Sequence, residues 1–240
     1  MADLHLHTAL SPCASREMTP RRIVREAMER GLDLIAVCDH NSAGNAGSVQ
    51  RAAAGRPEVI AGMEITTREE VHVLGLFPGL QAALAAGAQV LAGLPVGPGR
   101  PRRAEEQLLL DEHGVVLGRE QRMLAAAASL SLTQALALIR AHGGLAVAAH
   151  LDRRAFSVLG QLGFLPEEAH FDALEISAAG VARGRATAFA SYGLPLLSSS
   201  DGHFPEDIGS ACTVLEAEAP SFAELVLALR GEGGRRCGIA

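Results

Sequence analysis

Two histidines, His5 and His7, stand two residues apart near the start of this chain. In an extended segment that spacing puts both imidazoles on one face. Further along, His40, Glu64, His72, His150, Asp201 and His203 each sit on or just past a short aliphatic run. Imidazole and carboxylate are ligands that zinc, manganese and iron accept. A lone histidine at a strand end is more often a satisfied hydrogen-bonding residue than a ligand, but the joint pattern is different. Six of the nine histidines (His5, His7, His40, His72, His150, His203) fall on or beyond predicted strands, whereas His113, His142 and His170 lie in helix or loop contexts. Apolar strands ending in uncompensated His and carboxylate groups cost on the order of several kcal/mol in desolvation unless something pairs them. A cluster of divalent cations supplies that pairing.

For these residues to meet, the strands must lie side by side with their ends together. Aliphatic runs predict strands over residues 3–8, 32–39, 59–66, 71–77, 145–149, 173–177 and 195–199, the fourth as a hairpin partner of the third. Helical patterns fall between them, over 19–30, within 42–55, and over 131–142, 156–162 and 181–192. The first helix has plain end signals: Thr19 as N-cap, Pro20 at the first helical position and Gly31 after the last turn. Strand and helix in alternation imply an α/β protein with a mainly parallel sheet. About seven strands suggest closure into a barrel, whose C-terminal rim would gather the ligand candidates, although an open sheet gives the same pattern. Between residues 78 and 128 the composition shifts to Ala, Gly, Pro and Arg and the alternation is lost, so this segment reads as an insertion.

The bulk numbers agree with one barrel-sized domain over residues 1–240. Hydrophobic residues make up 48 % of the chain and aromatics only 3 %, so the core must be built from Ala, Leu, Val and Ile. A net charge of -6 gives no broad basic surface for an extended nucleic acid. The apolar stretch 80–96 carries Gln81, Gln89, Gly87, Gly93 and Pro95 and reads as a helix and turn, not a membrane span. Cys13, Cys38, Cys212 and Cys237 form no CxxC pair, which suits free thiols in a reducing compartment, the cytoplasm by default.

The segments Asp3-Leu-His-Leu-His7-Thr8, Asp39-His40-Asn41, Gly62-Met-Glu64, Ala149-His150 and Ser200-Asp201-Gly-His203, taken in order, resemble the polymerase and histidinol phosphatase (PHP) superfamily. The resemblance runs from one terminus nearly to the other. It implies a distorted seven-stranded (β/α) TIM-like barrel with an insertion after the fourth strand, holding two or three divalent metal ions (Zn, Mn or Fe) that hydrolyse phosphoesters. Carried over by motif, His5, His7, Glu64 and Asp201 hold one ion, Glu64 bridges to a second held by His72 and His150, and His40 and His203 serve a third. Where the family often has a His or Asp as the last ligand of that third ion, this chain has Cys13, either a thiolate ligand or a small buried thiol in a turn.

Around the ligands, Asp39 is expected to orient an imidazole, and Glu175 is a further candidate for the pocket. Arg153 and Arg154, soon after His150, are candidates for two-pronged binding of phosphate oxygens, and residues 100–103 read as a charged loop at the site mouth. The expected reaction is hydrolysis of a phosphomonoester or phosphodiester by a metal-bridging hydroxide. Glu64 and Asp201 hold the reacting centre, and His203, His150, Asp39 or an uncoordinated water is the proton source. The expected substrate is a small phosphorylated molecule or a nucleotide or oligonucleotide end, with no membrane partner. No nucleophile elbow and no Gly-rich phosphate loop with Lys is present. Two other readings stand beside this one: a metal-dependent amidohydrolase or deaminase, and a PHP-type binding module without turnover. A carbamylated lysine is impossible, since the chain contains no Lys.

Overall fold

The structure is a computed structural model that describes residues 1–97 and 106–240. Its framework begins with β1 (Ala2–Leu6), α1 (Pro20–Glu29), β2 (Leu34–Val37), α2 (Ala46–Ala53), β3 (Glu58–Thr66) and β4 (His72–Leu76). The middle of the chain gives α3 (Leu80–Ala92), β5 (Leu108–Leu110), β6 (Val116–Arg119), α4 (Leu132–Ala141), β7 (Leu145–Ala148) and α5 (Val158–Leu162). The last part gives β8 (Ala173–Ser177), α6 (Ala178–Ala182), α7 (Ala186–Phe189), β9 (Leu196–Ser199), β10 (Thr213–Glu216), α8 (Phe222–Arg230) and β11 (Arg236–Ile239).

One sheet runs β11-β10-β1-β2-β3-β4-β7-β8-β9. It curls so that its β1 and β9 regions meet. Beyond β9, Gly202 pairs in parallel with Leu6, and the His7 N–H donates to the Gly202 carbonyl at 3.0 Å. At the other end of β1, β10 pairs antiparallel through Ala2 and Thr213, and Thr213 Oγ1 donates to the Ser198 carbonyl at 2.9 Å, so β10 wedges between β1 and β9. The barrel is therefore closed by seven strands, β1-β2-β3-β4-β7-β8-β9, with β10 and β11 appended. The sheet is not uniformly parallel, because β4 is antiparallel to both β3 and β7. A short hairpin turn joins β3 to β4, and a hairpin can only reverse the chain.

Strand alternation sorts the apolar side chains into two layers. Leu34, Ala36, Cys38, Ile60, Leu74, Leu76, Leu145, Val147 and Leu197 fill the barrel interior together with Leu225 and Leu229 of α8, which plugs one end. Ile35, Val37, Ala61, Met63, Ile65, Val73, Ala146, Ala148, Leu174 and Ile176 face outward onto Ile23 of α1, Val49 of α2, Ala83 and Val90 of α3 and Ile139 of α4. Chains with so few aromatics reach core density this way, through many small interdigitating contacts.

Several expectations need correction. The helix expected over 181–192 is broken. Ser177 caps α6, which starts at Ala178, three residues early, and Gly184, at φ 67°, interrupts it before α7; a left-handed residue cannot continue a helix. Thr19 occupies the N-cap position of α1, but its side chain makes no capping bond. α3 belongs to the regular outer layer, so within 78–128 the loss of strand–helix alternation starts after Ala92. Of the described residues beyond it, β5 and β6 form a separate two-stranded ribbon. The 100–103 loop lies outside the described residues. β10, α8 and β11 carry no chemistry-bearing motif, and the alternation pattern gave no expectation for them.

Candidate metal centre

The site residues are the inward positions that follow the apolar interior on each strand. On β3, Ile60 lines the barrel interior and Glu64 stands four residues further along the same face. On β1 a register shift between Asp3 and Leu6 interrupts the alternation. Ala2 and Leu4 belong to the interior cluster, Leu6 to the outer one, and His5 and His7 turn into the pocket. Bulges are a common means of re-aiming a side chain beside a site. His150 and Asp201 follow β7 and β9 in left-handed backbone conformations, at φ 30° and 52°.

These residues converge tightly. His5, His7, Glu64 and Asp201 each offer a ligand atom, and all four atoms lie within 4.8 Å of one another; the same holds for His40, Glu64 and His72 and for His7, His40 and His203. His7 Nε2 is 3.2 Å from His5 Nε2 and 3.1 Å from Asp201 Oδ1. Glu64 stands in the middle. Its Oε1 is 2.6 Å from His72 Nδ1 and 3.2 Å from His150 Nε2, and its Oε2 is 3.0 Å from His40 Nδ1 and 3.5 Å from His5 Nε2. His203 Nε2 contacts Cys13 Sγ at 3.1 Å. All eight residues named for the ligand shells in the sequence, and Cys13 with them, thus share one cluster. His113 and His142 lie apart from it, bonded to Arg21 and Gln89.

The donor set fits divalent cations. Glu64 Oε2 and His40 Nδ1 are both buried and make no hydrogen bond, despite standing 3.0 Å apart. Unsatisfied buried polar atoms are rare and costly, and two that face each other from a carboxylate and an imidazole are what a shared ion would satisfy. Charge balance agrees. Burial pushes the Glu64 carboxyl up, but His72, His5 and His40 outweigh it and hold it well below the usual range. Burial likewise opposes ionisation of Asp201, yet His5 and the His7 hydrogen bond keep it strongly acidic. Burial depresses His5, while Glu175, Asp201 and Glu64 together raise it well above its ordinary value. His7 goes the other way, lowered by burial and by the neighbouring His203.

A ring of supports fixes the candidate ligands. Glu175 on β8 holds His5 Nδ1 at 3.0 Å and accepts the His150 N–H at 3.0 Å, which makes it the direct orienter of one candidate ligand and the backbone anchor of another. It shares the inward face of β8 with Ala173, a signal its sequence position already carried. Asp39 supports an imidazole at one remove. Its carboxylate accepts from the Thr8 N–H, the Thr8 hydroxyl and the Ser11 hydroxyl, each at 2.7 Å. It reaches an imidazole only through Ser11, which contacts His7 Nδ1 at 2.9 Å, and with both oxygens engaged it is no proton donor to a substrate. Thr8 and Ser11 went unread in the sequence because hydroxyls are too common to signal a role by type.

At the rim, the Arg153 guanidinium meets Asp201 Oδ2 at 2.5 Å. Arg154 is exposed and makes no hydrogen bond to the site among the described residues. Cys13 is exposed, not a buried turn thiol. Burial raises its pKa, but hydrogen bonds to His203 and His40 outweigh that and bring it to about 7. The β5 strand lies beside the site-bearing loops: the Leu108 N–H donates to the Ala9 carbonyl at 2.9 Å, and Asn45 exchanges bonds with Leu108 and Leu110.

Comparison with known proteins adds a family frame. The profile of a family described as PHP-associated matches residues 182–232, and no curated protein sequence matches the chain. Among solved structures, the lesion-specific endonuclease Q of Pyrococcus furiosus is 19 % identical, with a TM-score of 0.72 over 98 % of this chain and 57 % of that one. An endonuclease Q bound to a 27-mer duplex with an abasic lesion at its active site is 20 % identical, with a TM-score of 0.70 over the same shares. This chain thus spans a little over half the length of those proteins. A candidate metal-dependent phosphoesterase from Bifidobacterium adolescentis is 19 % identical, with a TM-score of 0.57 over 94 % of this chain and 95 % of that one. An amidohydrolase from Chromobacterium violaceum is 24 % identical, with a TM-score of 0.59 over 87 % and 89 %. No helix among the described residues is long and apolar enough to cross a membrane. The PHP-associated match over residues 182–232 and the barrel fold shared with these structures agree with the resemblance carried by the ordered HxH, His, Glu, His, His and Asp-Gly-His segments.

Proposed function

We propose that this protein is a metal-dependent phosphoesterase. The observation that carries the reading is the central position of Glu64, whose two oxygens reach His72 and His150 on one side and His5 and His40 on the other. A single carboxylate shared in this way suits a pair of ions held close together, the arrangement used for in-line displacement at phosphorus. His5, His7, Glu64 and Asp201 would hold the first ion, and Glu64, His72 and His150 the second. His40, His203 and Cys13 would hold a third. Zinc, manganese and iron all suit such a mixed N and O set. When bound, the cations would ease deprotonation of water near neutral pH and stabilise charge on the attacking and leaving oxygens.

The chain's own residues do the rest. Glu175 and the Asp39–Ser11 relay hold His5 and His7 in one ring orientation, so no reorganisation is needed when charge builds up. Arg153, partly exposed and resting on Asp201, is placed to exchange that contact for a non-bridging phosphate oxygen. His203, less buried than the inner ligands, has Nδ1 held by the Asp201 carbonyl, so as a ligand through Nε2 it would leave protonation of the leaving group to an uncoordinated water. The segment that departs from the alternation, with the β5–β6 ribbon against Ala9 and Asn45, is the proposed selector of substrate. An oligonucleotide end is one substrate in scope, since endonuclease Q acts on DNA lesions.

The amidohydrolase neighbour keeps a second reading open, hydrolysis of an amide by the same centre. Phosphate release from p-nitrophenyl phosphate and from oligonucleotides, measured beside amide turnover after loading with manganese or zinc, separates the two. Phosphate release that disappears in Asp201→Ala is expected. Amide turnover without phosphate release overturns the proposal.

A further inference from the structure

The non-glycine residues with positive φ among those described are Asn41, Ala54, Glu70, His150, Phe156 and Asp201. Ala54 ends α2 and Glu70 lies in the turn between β3 and β4, places where a left-handed residue is ordinary. Asn41, His150 and Asp201 belong to or adjoin the metal centre. Phe156 is the remaining one, at φ 61°, and it too lies at the site. Strained backbone outside turns and caps tends to be kept where it positions a working group.

Phe156 is held there from several directions. The His72 N–H donates to its carbonyl at 2.7 Å. Its ring stacks on the His72 imidazole, with centroids 4.5 Å apart and planes 18° from parallel. Three residues earlier, the Arg153 N–H donates to the His150 carbonyl, and Ser157 next door bonds the Arg153 carbonyl. Yet 41 % of Phe156 remains exposed. In a chain with seven Phe, one Tyr and no Trp, in which Phe77, Phe171 and Phe189 are spent on the core, an aromatic ring held outward over a candidate ligand is not surplus packing. One face covers His72, and the residue stays partly exposed on the loop that carries Arg153.

We infer that Phe156 is a stacking platform that selects phosphoesters whose organic group carries a planar ring, with Arg153 taking the phosphate and Phe156 the ring. The inference rests on the phosphoesterase reading for turnover, but not for binding. Base–aromatic stacking needs only a π-face and tolerates any base, so the favoured class is a nucleotide or a nucleotide at a strand end.

Two measurements on the metal-loaded full chain test this. Calorimetric binding compares adenosine 5′-monophosphate with inorganic phosphate, and turnover compares adenosine 5′-monophosphate and p-nitrophenyl phosphate with glycerol 3-phosphate. The wild type is expected to favour the ring-bearing ligands, and Phe156→Ala to shrink that preference about tenfold, with Phe156→Tyr keeping it and ion content unchanged in both. Preference for p-nitrophenyl phosphate alone supports a single-ring substrate over a nucleobase within the same class. Equal wild-type affinity for adenosine 5′-monophosphate and inorganic phosphate overturns the inference. So does an equal loss on ring-bearing and ringless ligands in Phe156→Ala, which would mark the ring as a support for His72 only. If no substrate releases phosphate while the binding preference persists, the phosphoesterase reading fails and the platform stands.

Discussion

His5 and Cys13 belong to one cluster and are treated in opposite ways. His5 is fully buried, its Nδ1 fixed by Glu175 and its Nε2 facing Glu64 and Asp201. Cys13 is exposed and has His203 as its nearby partner, with Asp201's carbonyl holding the other nitrogen of that ring. Between these extremes the cluster is graded. His7, Glu64, His72 and His150 sit deep among protein donors and acceptors, while His203 and Arg153 lie nearer to solvent. A deep, fully oriented set pays its ordering cost on folding and offers one fixed geometry, whereas a rim group keeps freedom to exchange partners. On the proposed reading, the inner set serves the constant chemistry and the rim what enters and leaves.

The largest effect should come from the inner end. Glu64→Gln keeps the size of the side chain and removes the charge that His72, His5 and His40 all face. If the ions it would hold each contribute several kcal/mol to the transition state, turnover should fall on the order of 10³-fold, with the circular dichroism spectrum unchanged and the ion content reduced. Turnover within a few fold of wild type would break the inner-versus-rim distinction at its strongest point.

Next comes Glu175→Gln, which touches no substrate. Loss of a ligand's orienting carboxylate costs about 10- to 100-fold in metal affinity or activity. The expected signature is weaker metal retention in a chelator titration, with activity partly regained at high metal concentration. A loss of activity with unaltered metal affinity would instead place Glu175 at the reacting atoms.

The same gradient decides what could be read from the amino-acid order. The convergence of His5, His7, Glu64, His150 and Asp201 was legible because metal-ligating chemistry restricts residue type and strand ends restrict position. Glu175 was half legible, since its inward phase on β8 was visible but its partner lay 170 residues away. Asp39 was legible as a support for an imidazole but not by its route, because adjacency to His40 in the chain says nothing of a carboxylate that the backbone turns toward Thr8 and Ser11, and through Ser11 to His7. Phe156 could not have been found, because its significance lies in a backbone angle and in a ring stacked on His72. In the fold, alternation exposed the barrel strands, whereas β10, α8 and β11 follow the last motif and close the structure by packing alone.

At the rim, Arg153→Ala should weaken substrate binding about tenfold, the scale of one charge-assisted bond, and should do so in KM more than in kcat. It also frees Asp201 Oδ2, so metal retention should hold or improve. Reduced metal retention would mean that Arg153 is part of the inner scaffold and not a partner for substrate.

Cys13→Ser should have the smallest effect on turnover and the clearest spectrum. With His203 at 3.1 Å and a thiol brought to about 7, much of the sulfur is ionised at neutral pH, and a thiolate prefers zinc-like or cobalt-like ions to manganese. Cobalt loading should therefore give a near-ultraviolet sulfur-to-metal charge-transfer band that Cys13→Ser abolishes, along with about one ion of the wild-type complement, while turnover changes by only a few fold because the inner pair is intact. The same band surviving in Cys13→Ser would move the sulfur ligand elsewhere. A collapse of turnover as severe as that of Glu64→Gln would show that the exposed corner and the buried one form a single unit, since groups that act as one lose nearly everything when any member is removed.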